Sequence, residues 1–325
     1  MSNSKLKLTL ACGPYDLMGG LIDGTVPVPG VELNVLTMGS PERHRRMLKH
    51  AEFDICELSL AGYLIAREAG QPFTAIPVFP HRRFRHGYVA INMRAGIARP
   101  ADLNGKRIGL RSLRNSAGLW MRGILQDHYG VDLETIEWWC QEEEELAIEP
   151  AAWLKLRRVP DGRNVDEMLV SGELESAIYP EMLPSLRNGR PEVGLLFQDP
   201  KAAEIDYFRR TGIFPIMHTV VIRNSILEQH PWVAVSVLQG FQKAKEHCYA
   251  RMRNPRVLAM VFAEENMKEQ RVVFGADPWP YNLEDNRKNL EVAVHYAYNE
   301  RVIKTVPKLE ALFFPPSLEE ARRYL

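Results

Sequence analysis

The chain has 325 residues, 46% of them hydrophobic and 25% charged, the composition of a globular protein long enough for about two domains of roughly 150 residues. Its 41 Lys+Arg are balanced by 41 Asp+Glu, which speaks against a nucleic-acid or membrane-surface partner, since either usually leaves a basic excess. Four scattered cysteines, Cys12, Cys56, Cys140 and Cys248, form no CxxC pair and fit a reducing compartment rather than a disulfide or zinc framework.

Residues 5–12 alternate, with Leu6, Leu8 and Leu10 between Lys5, Lys7 and Thr9. That is the period of a strand, not the apolar run of an export signal. No stretch of about 18 apolar residues follows, so no membrane-spanning helix is predicted, and the expected location is the cytoplasm. Cys12-Gly13-Pro14-Tyr15-Asp16 reads as a turn, 31–37 as a second strand, and Pro41 as the opening of a helix. A short strand is expected at 53–57, a helix over 60–69 capped by Ser59, and an apolar strand at 73–79. This βαβαβ order predicts an open, mainly parallel sheet. A strand at 88–93 leads into a second α/β lobe with helices near 118–129 and 165–172 and a short strand at 176–179. Residues 215–223 return as a strand, and the pattern is mainly helical from Pro231 onward. Glu142–Glu145 reads as a solvated loop or helix face.

The segment Pro100-x-Asp102-Leu103-x-Gly105-Lys106-x-Ile108-Gly109 resembles the opening of the second lobe in type II periplasmic-binding-protein-like folds. Four further segments, Phe53-Asp54-Ile55-Cys56-Glu57-Leu58-Ser59-Leu60, Pro80-His81-Arg82-Arg83-Phe84-Arg85-His86, Phe214-Pro215-Ile216-Met217-His218-Thr219-Val220 and Asp277-Pro278-Trp279-Pro280-Tyr281-Asn282, are similar to the 4,5-dihydroxyphthalate decarboxylase family, and together they span nearly the whole chain. Asn282 stands where the pattern usually has glycine; asparagine tolerates a left-handed backbone, so the turn is expected to survive. The resemblance implies a two-lobed α/β fold with two open mixed sheets flanked by helices. It further implies a ligand cleft between a discontinuous first lobe (1–90 plus 217–325) and a second (91–216). It also implies a carboxy-lyase that converts 4,5-dihydroxyphthalate, or a related hydroxylated aromatic acid, to a protocatechuate-type product and carbon dioxide. That chemistry belongs to aromatic-acid catabolism.

Such a reaction needs groups that hold carboxylates, one that polarises the phenol, and one that protonates the ring carbon as carbon dioxide leaves. The ring itself accepts the electrons, so no cofactor and no metal are expected. His218, alone in an apolar strand, is the candidate acid–base group, with Glu57 as a base for a ring hydroxyl or a partner that orients a histidine; the structural alternatives are a satisfied strand histidine and a capping carboxylate. Arg82 and Arg83, in preference to Arg85, are expected to anchor the retained carboxylate, because arginine pairs bidentately with it. His81, His86 and Ser59 are expected beside them; a solvated basic loop is the alternative. Arg111, Asn115 and Ser116 resemble the fold's anion-binding turn, while Tyr179 and Tyr15 close strand ends where a substrate could bond. Cys12 is expected to pack rather than react, and Trp279 to lie in the core or at a lobe contact. The reading from a different class is a solute-binding protein for a small organic anion. The partner expected is a small aromatic dicarboxylate, with a homo-oligomer left open.

Overall fold

A computed structural model describes residues 5–325. The chain divides into two units, Met1–Arg82 with His218–Leu290 and Pro307–Leu325, and Arg83–Met217 with Glu291–Val306. Among the described residues no helix is long and apolar enough to cross a membrane.

The first unit is built on β1 (Leu6–Cys12), β2 (Val31–Thr37), β3 (Ile55–Ser59), β4 (Phe73–Ile76) and β11 (His218–Arg223), in the order β2-β1-β3-β11-β4. β1 runs parallel to β2 and β3, whereas β11 is antiparallel to both β3 and β4. The sheet is open and mixed, as expected: β1, β2, β3 and β4 run the same way and the returning β11 alone is reversed. β4 stops at Ile76 rather than 79, where Pro77 has no N–H to give the ladder. Leu8, Leu10 and Cys12 of β1 pack with Val237, Leu238 and Phe241 of the helix Trp232–Met252. Central β3 is buried at all five positions, with Glu57 in the middle.

The second unit holds β5 (Val89–Asn92), β6 (Arg107–Leu110), β7 (Glu137–Cys140), β8 (Lys155–Arg158), β9 (Ser176–Ile178) and β10 (Val193–Leu195), in the order β10-β5-β9-β6-β7-β8. β5 is antiparallel to both neighbours and the remaining pairs are parallel. Two boundaries differ from expectation. Residues 83–90 belong here, and so do 291–306: Tyr296 lies edge-on to Trp120 at 5.8 Å, and Glu300 accepts from Nε of the buried Arg122 at 2.9 Å. Helix 287–299 carries Tyr296 and ends just before Glu300, and its amphipathic pattern cannot say which core receives it. The strands β7, β8 and β10, the last two at the sheet's edges, were also unforeseen. β8 is four largely exposed residues, two of them arginine, with no alternation to read.

Candidate active site

The sheet register of the first unit assembles a cluster of polar side chains. His218, the first residue of β11, lies directly opposite Ser59 of β3. Residues two apart on a strand share a face, so Glu57 points the same way as Ser59 and meets His218 on the diagonal, within reach of long side chains. The His218 imidazole is bonded through Nδ1 to Oε1 of Glu57. Ser59 also caps the helix Leu60–Glu68, its Oγ accepting from the Gly62 N–H at 3.4 Å.

Glu57 is wholly buried, and three further groups hold it. Oε2 accepts from the Gly13 N–H at 2.7 Å and lies 3.0 Å from the Arg43 guanidinium, while the Tyr15 hydroxyl also bonds the carboxylate. Burial alone would push the carboxyl up. The Arg43 and His218 charges, with the hydrogen bonds from His218 and Gly13, overcome it and hold the carboxyl at about 2. Glu57 is thus an anion that only accepts, and the Nδ1 facing it carries the imidazole proton. Nε2 is then the ring nitrogen turned away from the carboxylate. A buried carboxylate fixing an imidazole in this way also stabilises the imidazolium when it forms.

Arg43 lies on the helix Ser40–His50, which Pro41 opens as expected. Its guanidinium has no solvent exposure, and its Nε donates to the Glu57 carbonyl at 2.9 Å, one Nη to the Met38 carbonyl at 2.6 Å and the other to Ser40 Oγ at 3.3 Å. The next residue, His44, is buried with its ring edge-on to His218 at 4.9 Å. Neither residue was anticipated, because Arg43-His44-Arg45-Arg46 looks like a solvated face. The available signal was periodicity: Arg43 and His44 stand one helical turn before the buried Met47 and Leu48.

His81 packs its ring against His218 at 4.6 Å and stacks on Tyr15 at 5.2 Å. Tyr15 folds back over Gly13, where a Cβ would come within 2.7 Å of the Tyr15 ring. Glycine is therefore needed to seat that ring. Gly13→Ala should leave the melting temperature nearly unchanged, since the ring can swing outward. Turnover should nonetheless fall about 10–100-fold, because the swing takes Tyr15 from Glu57 and His81; comparing melting curves with steady-state rates checks this. Glu57, His81 and His218 each offer one donor atom, all within 4.8 Å of one another. Buried Cys12 has its thiol pushed up to about 12 by burial and the Glu57 charge, so it packs, as expected, and is no nucleophile.

The other expected ligands sit differently. Arg82 is buried, donating to Asn286 Oδ1 at 2.9 Å and the Pro278 carbonyl at 3.4 Å, which makes it a brace for the 278–286 loop rather than an open anion clamp. In the second unit the exposed Arg83 lies over the Tyr88 ring at 5.5 Å, and Arg85 donates to the Pro180 carbonyl. His86, expected at the substrate, is wholly buried within a nest of Tyr129, Phe197 and Tyr207. Arg111 is already bonded to Glu142 at 2.9 Å and Glu181 at 2.8 Å, with Tyr179 beneath it at 6.0 Å, so the chain's own carboxylates fill the place expected for a ligand. Glu142–Glu145 do lie in a loop, with Glu143 exposed and paired with Arg158, but Glu144 and Glu145 turn inward to pair with Arg114. Asn115 caps the helix Ser116–Tyr129 through the Ala117 N–H at 2.9 Å, and Ser116 is buried in its first turn. Asn282 does not take a left-handed backbone. Its buried amide instead accepts from the Asp285 N–H at 2.7 Å and donates to the Asp285 carboxylate at 2.8 Å. Trp279 packs half-buried against the first core.

No family model matches the chain. A 4,5-dihydroxyphthalate decarboxylase of Comamonas testosteroni is 34% identical over 325 residues, covering 97% of this chain and 98% of its own. Another, from Pseudomonas putida, is 35% identical over 213 residues, 63% of this chain and 83% of its own. Among solved structures, the periplasmic aliphatic sulphonate binding protein SsuA from Escherichia coli matches with a TM-score of 0.57 at 14% identity, over 95% of this chain and 92% of its own. The desulfurization enzyme DSZB matches at 0.52 and 15%, over 98% and 99%. At such identities these two show the scaffold alone: the α/β fold of the solute-binding proteins, which carries enzymes as well.

Proposed function

The chain belongs to the 4,5-dihydroxyphthalate decarboxylase family, and we propose that it is a carboxy-lyase acting on 4,5-dihydroxyphthalate or a close relative, with the Glu57–His218 pair as its proton-handling centre. The observation that carries the assignment of roles is the buried, four-donor carboxylate bonded to His218 Nδ1.

In this mechanism the ring carbon–carboxylate bond breaks, its electron pair moves into the ring, and carbon dioxide departs. His218, as imidazolium, gives its Nε2 proton to that ring carbon, so one proton replaces one carbon dioxide. Glu57 stabilises the imidazolium before transfer and keeps the ring aimed. In this reading His81 and Tyr15, which are half-buried beside the pair, contact the ring hydroxyls. This reading requires no divalent ion, because the aromatic ring itself accepts the electron pair and the protein supplies orientation, a proton and electrostatics. Binding energy must favour the transition state over the bound diacid, so the firmest grip belongs on the retained carboxylate. All four cysteines are free thiols, which supports a reducing cytoplasmic location.

The test is carbon dioxide release and ring-product formation from chelator-treated protein given 4,5-dihydroxyphthalate. Turnover is expected, and His218→Ala should lower it by about 10²–10⁴-fold, the usual weight of a positioned acid. Thermal stabilisation by the diacid without turnover would replace this reading with solute binding.

A further inference from the structure

The donor set in the first unit has a second use. We propose that Glu57, His81 and His218 form a site for one borderline divalent cation, Zn2+ with Co2+ as its spectroscopic analogue, and that occupancy blocks the decarboxylase.

Three observations converge. The three donor atoms, from β3, β11 and the loop after β4, lie within 4.8 Å of one another. A tetrahedral ion at about 2.1 Å from each donor sets them roughly 3.4 Å apart, so the hydrogen-bonded His218–Glu57 pair must open to admit it while the third donor makes a small closure. His81 supplies it most readily, since it is half-buried on a loop whereas Glu57 and His218 are pinned in strands. The carboxylate is also already held as a ligand would be. Oε2 is fixed by the Gly13 N–H and Arg43, which leaves Oε1 on the His218 imidazole; such outer partners orient metal-binding carboxylates. Finally, two nitrogens and one oxygen select Zn2+, Co2+ or Ni2+ over Mg2+ and Ca2+, which demand oxygen ligands.

Inhibition follows from atom bookkeeping. An ion on His218 Nε2 removes the proton donor. An ion seated between Nδ1 and Oε1 removes the bond that orients it. Either seat silences the same group. Arg43, beside Glu57, opposes a second cation and keeps the ion within reach of chelators.

The inhibitory half rests on the decarboxylase reading; the binding half does not. The test titrates chelator-treated protein with Co2+ and follows visible ligand-field absorption. Saturation at one Co2+ per chain is expected, with displacement by Zn2+, no displacement by Mg2+, and at least tenfold weaker binding in His81→Ala at an unchanged melting temperature. In a parallel assay, stoichiometric Zn2+ should abolish carbon dioxide release and EDTA should restore it. Absence of a saturable Co2+ band, or equal binding by His81→Ala, overturns the site. Turnover that requires the metal overturns its inhibitory role. A saturable band in a protein that never decarboxylates leaves the site standing and rejects only the reading of function.

Discussion

Arg43→Met is expected to cost about 3–5 kcal/mol of unfolding free energy and nearly all turnover. Arg43 and Glu57 are both without solvent exposure and 3.0 Å apart, and removing one member of such a pair strands the other charge in a medium that cannot solvate it. The guanidinium also donates to the carbonyls of Glu57 and Met38 and to Ser40 Oγ, so methionine leaves buried acceptors unmet as well. Methionine keeps much of the volume, which separates charge from packing. The decisive comparison is the double variant Arg43→Met with Glu57→Gln. With no anion left to strand, its stability should recover by more than 1 kcal/mol over Arg43→Met alone, although activity stays lost because His218 has no carboxylate to orient it. Urea unfolding of the four proteins in the cycle measures this. If Arg43→Met costs less than about 1 kcal/mol, the pair is not the electrostatic centre described here.

That residue also marks where reading the sequence stops. Local periodicity finds β1 and β2, the Pro41 start and the Ser59 cap, because each depends on residues within a few positions of one another. The family motifs single out Glu57 and His218, but their contact joins residues 161 apart in sequence. It exists only because β11 pairs antiparallel with β3 in a register that puts His218 opposite Ser59. No local pattern encodes that register. The charged residues fail for a related reason. Arg82, Arg111 and Arg114 are attractive carboxylate clamps by type, yet each has a partner from a distant segment: Asn286, Glu142 and Glu144. Residue type announces the capacity to bind an anion or an acceptor; the fold decides whether the chain itself supplies it.

His86 illustrates the same point with a measurable consequence: wild-type protein should lose about 2 kcal/mol of stability between pH 7 and pH 5, and His86→Phe should abolish most of that loss. The imidazole is wholly buried, and among the described residues neither ring nitrogen has a hydrogen-bond partner. Burial, reinforced by the charges of Arg210 and His128, pulls its pKa down to about 4; the Glu204 carboxylate lies 4.0 Å from Nδ1. The unfolded chain titrates near the ordinary value of about 6.5. Above that pH the ring is neutral in both states and the group is silent. As pH falls below it, the unfolded chain takes up a proton that the native protein refuses, so stability drops with slope set by that difference and levels off below about pH 4. The full loss is about 3 kcal/mol, most of it reached by pH 5. Phenylalanine fills the same aromatic nest with no proton to bind. Chemical denaturation at pH 7, 6 and 5 for both proteins reads the difference directly. Parallel curves would mean that the protonated ring finds a hydrogen-bond acceptor on acidification, with Glu204 the nearest candidate, and that the buried histidine costs the fold nothing in acid.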